Sequence, residues 1–327
     1  MTLSSDRRAT LIFNPMAGYW EWRAAVSRVV DDWVARGWEV QLACTEYTGH
    51  ATELAAAAVA AGHRLVLAAG GDGTLNEVAN ALAYTQTILA PLPVGTGNSF
   101  TKELGLPRPS LLQPDYLLDA SAALARGCVK AMDLGRVGDG SDARYWLLWA
   151  STGLDGFVVK QIEPRPRWFK RLGPAGYLAR ALFFLPQFNG VCATINVDDR
   201  QIEGQFLLAN VSNCRMWLGG ELRLNRRAVL DDGLFELWLF RGDHWPRALS
   251  YGLEISREDH VRNRDVTVLP CRRVEISTVP SMAYHLDGEP AGDTPFTATL
   301  CSGALRLLVP DTAPPDLFAA GGESLDG

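Results

Sequence analysis

Three observations predict a two-part chain: an α/β unit with a parallel sheet, then a mainly antiparallel β unit. Over residues 1–127, short apolar runs alternate with helical patterns, as in a parallel sheet with helices on its faces. Four of those runs end in small, polar or glycine-rich loops, at residues 14–18, 45–51, 70–74 and 95–99. After Arg126-Gly127 the texture changes to short β-like runs separated by turn residues. A length of 327 residues suits two domains, and 47% hydrophobic residues can fill two cores. The net charge of −6 lacks the basic footprint that a nucleic-acid partner requires.

The elements follow in order. Residues 9–13 form a first strand that ends in Asn14-Pro15-Met16-Ala17-Gly18. Trp22, Val26, Val29, Trp33 and Val34 mark one face of a first helix. Residues 38–44 form a second strand; it runs through Thr45 and Gly49 into an alanine-rich helix over 51–61, stopped by Gly62. A third strand, 65–69, breaks into Gly70-Gly71-Asp72-Gly73-Thr74 and opens a helix at Leu75-Asn76-Glu77. A fourth, 88–92, precedes Gly95-Thr96-Gly97-Asn98-Ser99. Strands are expected next at 129–137, 144–151, 191–197, 205–211, 234–240, 273–277, 297–301 and 305–309, and the Gly-rich tail 319–327 is expected to fray.

The chemistry concentrates at the strand ends. In an open parallel sheet the loops after successive strands gather at one edge, where ligands bind. Glycines let backbone approach a ligand, and a helix start offers unpaired N–H groups to an anion. Asp72 is the odd member of such a loop. A carboxylate there repels phosphate unless it holds a metal, orients a nucleophile or takes a proton, or unless it merely closes an Asx turn. Thr74 and Glu77 have the spacing of a capping box. In the β unit, Asp287-Gly288-Glu289 reads as a hairpin turn or as a carboxylate site, and Asp231-Asp232-Gly233 reads as a turn.

Several chemistries find no support. The five histidines lack metal-ligand spacing, and no Ser-His-Asp or Cys-His set can be assembled. Walker A and the protein-kinase strings are missing, as is a G-x-G-x-x-G dinucleotide fingerprint with its downstream acid. Six scattered cysteines without C-x-x-C fit small buried reduced thiols. Residues 1–9 are polar and no run of 18 apolar residues occurs, so neither a secretory signal nor a membrane-spanning helix is expected.

The set NPMAG (14–18), TEYTGHA (45–51), GGDGTLNEVAN (70–80) and GTGNSF (95–100) resembles the diacylglycerol-kinase catalytic-domain family. That family includes bacterial lipid kinases, sphingosine kinases and ceramide kinases, and it is distantly similar to NAD kinases and phosphofructokinases. The likeness continues through 172–188, LDDGLFEL (230–237) and LDGEP (286–290), in family order over most of the chain. Ser99 stands where many bacterial members carry Asp, and Lys102 where they often carry Arg; both bear on substrate subtype.

The resemblance implies an NAD-kinase/phosphofructokinase-like parallel sheet over 1–127, rejoined by a return segment at 305–318, with an acceptor domain over 128–304 and the ATP site in the cleft between domains. It implies that ATP is held by Asn14, Pro15, Gly18, Thr45, Gly70, Gly71, Asp72, Gly73, Thr74, Leu75, Asn76, Glu77, Gly95, Thr96, Gly97 and Asn98. It makes Asp72, Asp287 and Glu289 catalytic. Of the last two we take Glu289 as general base for the acceptor hydroxyl, with Asp287 orienting it or binding metal. A structural Mg²⁺ would use the Asp232 side chain and the carbonyls of Val229 and Leu234. Asp155 is either acceptor-facing or a solvated turn residue.

The function expected is an ATP- and Mg²⁺-dependent cytoplasmic kinase acting on a lipid hydroxyl of the diacylglycerol or sphingoid-base class. Partners expected are the lipid, a transient peripheral membrane contact and, in a homodimer, a second copy of the chain; nucleic acid is not expected. Trp168-Phe169-Lys170-Arg171 and the stretch 177–188 read as an interfacial patch or as a core helix. A kinase of a soluble acceptor, NAD-kinase-like, and a non-catalytic nucleotide-binding regulator remain the alternatives.

Overall fold

The computed structural model describes residues 7–18, 21–107, 115–162 and 173–325. The chain forms two compact units, Met1–Asp133 with Ser302–Gly327, and Leu134–Cys301.

In the first unit, β1 (Arg8–Phe13), β2 (Glu39–Cys44), β3 (Leu65–Gly70) and β4 (Ile88–Pro93) form a parallel sheet in the order β2-β1-β3-β4. Every residue of β3 and β4 is buried, because central parallel strands are covered on both faces and therefore read as continuous apolar runs. Between the strands run α1 (Arg23–Ala35), α2 (His50–Ala60) and α3 (Asp72–Leu82); α4 (Ser99–Glu103) and α5 (Tyr116–Ala125) follow β4. Helix α1 buries Val26, Val29 and Trp33, and the Trp33 indole donates 2.8 Å to Ser121 Oγ in α5. Val34, expected on that face, is 52% exposed, since one residue of helix turns a side chain about 100° away. Alanines 51, 55 and 58 give α2 a buried face without bulk, so it packs against α3.

In the second unit β5 (Cys128–Val137) ends and β6 (Arg144–Trp146), β7 (Trp149–Gly153), β8 (Val191–Val197) and β9 (Arg200–Ser212) follow. Beyond the short β10 (Met216–Trp217) and β11 (Leu222–Arg223) come β12 (Phe235–Arg241), β13 (Val266–Cys271), β14 (Arg273–Val279), β15 (Ala283–Leu286) and β16 (Glu289–Asp293). The order β16-β15-β7-β9-β8-β14 is antiparallel throughout, with β12 pairing both β9 and β13. Strand β8 alternates buried and accessible residues, the pattern of a sheet with one covered face. Trp146, Val211, Phe235, Leu237 and Ile276 lie at the centre of its core.

The sequence expected two final strands, 297–301 and 305–309; the structure has one, β17 (Phe296–Val309). Its first half pairs with β14 in the second unit, and Leu307 pairs with Leu89 of β4 in the first. The units divide at 133/134 and 301/302, several residues from the texture change read at 127 and the return read at 305.

Two helices in the β-rich region were not foreseen: α6 (Leu154–Ile162), which opens directly after Gly153 at φ +90°, and Trp245–Ser256, which carries the N-terminal Pro that marks helix starts. Over its described residues, 319–325, the tail does not fray. Glu323 and Ser324 form β18, paired with Val129 and Cys128, while Leu317 and Phe318 are buried and Lys130 Nζ donates to the Ala320 carbonyl at 2.8 Å. All six cysteines are free as expected, yet only Cys214, Cys271 and Cys301 are buried, and Cys192 is exposed. Among the described residues no helix is long and apolar enough to cross a membrane.

Candidate active site

The two glycine loops of the first unit meet backbone to backbone. The Val94 and Gly95 N–H groups both donate to the Gly70 carbonyl, at 3.2 and 3.1 Å. A Cβ on Gly95 would fall 2.4 Å from Gly71 Cα, and one on Gly70 would fall 2.4 Å from Thr74 Cβ. Only glycine fits either place. Gly71 is the N-cap of α3, so the N–H groups of Asp72, Gly73 and Thr74 have no acceptor within the helix. Asn14 ties the β1 loop to this start: its Nδ2 donates to Thr74 Oγ1 at 2.9 Å, and its Oδ1 accepts the Met16 N–H at 2.9 Å. Thr45, which follows β2, is buried and donates its N–H to the Phe13 carbonyl at 2.9 Å. Gly18, at φ +74°, packs under the Val94 carbonyl, where any Cβ would clash at 2.2 Å.

Asp72 is engaged by a second helix. Its Oδ2 accepts the Ser99 N–H and its Oδ1 the Phe100 N–H, both at 3.0 Å, so it caps α4. This answers why a carboxylate sits in a loop otherwise suited to phosphate: two N–H dipoles already compensate its charge. Thr74 and Glu77 do not form the expected capping box. Thr74 lies inside α3, and Glu77 instead accepts the Gly49 and Ala51 N–H groups at 2.9 and 3.1 Å, capping α2. The box failed because α3 begins three residues earlier than its spacing assumed. Asn98, at φ +55°, donates to the Gly95 carbonyl at 2.7 Å, and its buried Oδ1 has no hydrogen-bond partner among the described residues. The backbone contact and the unpaired N–H groups at the α3 start fit the residue set to a nucleotide phosphate tail. Pro15, Leu75, Asn76, Thr96 and Gly97 lie in the same loops or the α3 start; Leu75 is buried core, and a Cβ on Gly97 would come 3.2 Å from Asp72 Oδ2.

In the second unit, Asp287 and Gly288 form the two-residue turn between β15 and β16 with φ of +51° and +86°, the conformation an Asp-Gly hairpin favours. The Asp287 carboxylate is anchored: Oδ2 accepts the Leu147 N–H at 2.7 Å, and Oδ1 those of Leu148 and Trp149 at 2.8 and 3.0 Å. Glu289, the first residue of β16, is exposed.

Asp155, in the first turn of α6, is neither solvated nor at the surface. Its Oδ2 stands 3.0 Å from His285 Nε2, with side chains 11% and 1% exposed. The approach is electrostatic rather than an aligned hydrogen bond. Burial pushes the Asp155 carboxyl up, but the His285 ring and side-chain hydrogen bonds from Ser151 and Trp217 outweigh it and hold the carboxyl below its ordinary value. Sequence reasoning assigned no role to His285 or Trp217; a histidine two positions before an Asp-Gly turn was the only cue. It also passed over Asp133, a buried carboxylate that accepts the Gly303 N–H at 2.7 Å.

The Asp232 turn is an Asx turn, its Oδ1 accepting the Leu234 N–H at 3.0 Å. Among the described residues no three His, Cys, Asp or Glu side chains cluster as a metal site. One carboxylate with the Val229 and Leu234 carbonyls is still a hard-oxygen set suited to Mg²⁺, which keeps most of its waters. Nearby Glu236 is pushed up to about 7, chiefly by burial and also by the Asp232 charge, against a lowering bond from Asn225. Trp168-Phe169-Lys170-Arg171 lies outside the described residues. Of the following stretch, Phe183 is 72% and Leu182 46% exposed, and the Arg180 guanidinium lies 5.7 Å over the Phe184 ring.

Comparison with known proteins agrees with this layout. Residues 8–137 match the diacylglycerol kinase catalytic domain, and residues 149–309 match the YegS C-terminal NAD kinase beta sandwich-like domain. A diacylglycerol kinase of Bacillus subtilis (strain 168) is 27% identical over 291 residues, 88% of this chain and 92% of its own. A Pseudomonas fluorescens protein named "Probable lipid kinase YegS-like" is 32% identical over 317 residues, 95% of this chain and 98% of its own. A crystal structure of a diacylglycerol kinase from Bacillus anthracis str. Sterne shares the fold, with a TM-score of 0.68 at 20% identity, over 94% of this chain and 98% of that one. With its α/β first unit, its antiparallel second unit and whole-length relatives above 30% identity, the chain belongs to the diacylglycerol-kinase catalytic-domain family of lipid kinases.

Proposed function

We propose that this protein transfers the γ-phosphate of ATP to the hydroxyl of a lipid of the diacylglycerol or sphingoid-base class. The observation that carries this reading is the Gly71–Gly95 backbone contact at the N-terminus of α3, where unpaired N–H groups suit phosphate and any side chain at Gly95 would force the two loops apart. The lipid acceptor rests on the relatives, named diacylglycerol kinase and YegS-like lipid kinase.

The geometry supports the following roles. The first-turn N–H groups of α3 hold phosphate oxygens, and Asn14 fixes the loop through Thr74. Asp72 keeps α4 and the second glycine loop in register with the first. An alcohol is a weak nucleophile until a base takes its proton. Asp287 already receives three N–H bonds, so proton acceptance falls to Glu289. Mg²⁺ at Asp232, Val229 and Leu234 supplies fixed positive charge when bound. Exposed Phe183 and Leu182, with Arg180 beside them, are suited to a transient contact with a lipid surface.

The test is transfer of label from γ-labelled ATP to a panel of diacylglycerol, sphingosine and ceramide in detergent micelles, with NAD as soluble acceptor. Label on a lipid is expected, and Glu289→Gln should lower kcat by about 10²–10⁴ while leaving ATP affinity intact. Label on NAD alone would replace the lipid reading with the soluble-acceptor one.

A further inference from the structure

Asp155, His285 and the turn at 287–289 form one connected set inside the second unit. Asp155, in the first turn of α6, faces His285 of β15, with Oδ2 3.0 Å from Nε2. On the other side of the imidazole, Nδ1 accepts the Gly288 N–H at 3.1 Å. A nitrogen that accepts must be unprotonated, so the hydrogen-bond pattern places the neutral ring's proton on Nε2, toward the Asp155 carboxylate. Gly288 is the second residue of the turn, and the next residue is Glu289. The same turn is held from its other end by the three N–H groups on Asp287. One anchor alone would let a two-residue turn rock about it, whereas two anchors fix the direction in which β16 begins.

A buried carboxylate–imidazole pair is a costly way to gain stability, since apolar residues of similar volume often do as well. What the pair adds is a directed acceptor for one particular N–H. We propose that Asp155 and His285 are positioning residues for the general base: Asp155 fixes the imidazole, and Nδ1 holds Gly288 and so sets the place of Glu289. The proposal rests on the lipid-kinase reading above and deepens it. It also replaces the acceptor-facing role that the sequence suggested for Asp155, whose side chain the structure encloses.

Three variants test it: Asp155→Asn, His285→Leu and His285→Asn. Leucine removes the acceptor, while asparagine returns an amide oxygen near the Nδ1 position. With ~1 Å of play at the base, kcat of His285→Leu should fall about 100-fold with the KM for ATP and for lipid unchanged. Asp155→Asn should lower kcat in the same way, and His285→Asn should recover at least about tenfold over leucine. Amide exchange at Gly288, followed by NMR, should accelerate in His285→Leu and be partly restored in His285→Asn; thermal melts and ATP affinity verify that each variant is folded. A raised lipid KM with unchanged kcat in Asp155→Asn would overturn the proposal in favour of direct acceptor contact. So would unchanged kcat in folded His285→Leu, or Gly288 exchange equal to wild type. If the wild-type protein phosphorylates no lipid, the functional reading fails separately, and Gly288 exchange still decides whether His285 holds the turn.

Discussion

Gly95→Ala is the sharpest probe of the phosphate cradle. The added Cβ would lie 2.4 Å from Gly71 Cα, 2.8 Å from Asn98 Oδ1 and 3.1 Å from Gly71 N. Ordinary contact begins near 3.4 Å, so the two loops must part by about 1 Å, and the obstacle is backbone that cannot rotate aside. The movement pulls on the bonds from Val94 and Gly95 to the Gly70 carbonyl and on the start of α3. Overpacking of this kind costs about 1–3 kcal/mol, which lowers Tm by ~2–4 °C for each kcal/mol in a domain of this size. A ~1 Å displacement of a phosphate-holding backbone should reduce kcat/KM for ATP about 100-fold. Gly97→Ala is the internal control, since its Cβ meets only the Asp72 Oδ2 tip at 3.2 Å and should cost far less in either measurement. Calorimetric ATP affinity, steady-state kinetics and a thermal melt on both variants settle it. A Gly95→Ala protein with wild-type Tm and wild-type ATP affinity would refute the cradle.

Three further outcomes are expected. Asp72→Asn sets an amide NH₂ against the Ser99 or Phe100 N–H, so Tm should drop by the equivalent of about 1–3 kcal/mol and phosphoryl transfer should fall with it; full activity at wild-type Tm would show the α4 cap to be dispensable. Asp232→Ala should shift the Mg²⁺ dependence of both Tm and turnover to higher concentration, and titrations that overlay wild type would leave Asp232 as a plain turn residue. Glu236 rises from an ordinary 4.5 to about 7 on folding, so the native state binds the extra proton and stability falls as pH climbs through that window. Glu236→Gln should therefore gain up to about 3 kcal/mol over wild type at pH 8 and little at pH 4.5; equal differences at both pH values would contradict the buried-carboxyl account.

The sequence determined what is local. Alternating apolar runs and helical patterns determined a parallel α/β unit, because a strand buried on both faces must read as an uninterrupted apolar run, as Leu65–Gly70 does. Glycines at 70, 71 and 95 announced a close backbone approach, and Asp287-Gly288 announced a turn with two positive φ angles. Partner choice was invisible, because a side chain's hydrogen bonds depend on what the fold brings beside it. Glu77 sits three residues after Thr74, yet caps a helix that begins 27 residues earlier in the chain. Asp72 caps a helix 27 residues later, and Asp287 binds N–H groups about 140 residues away. The 130-residue separation between Asp155 and His285 hid the pair that encloses both side chains. Local spacing fixes periodicity and turn chemistry; only the packed sheets decide which carboxylate meets which N–H.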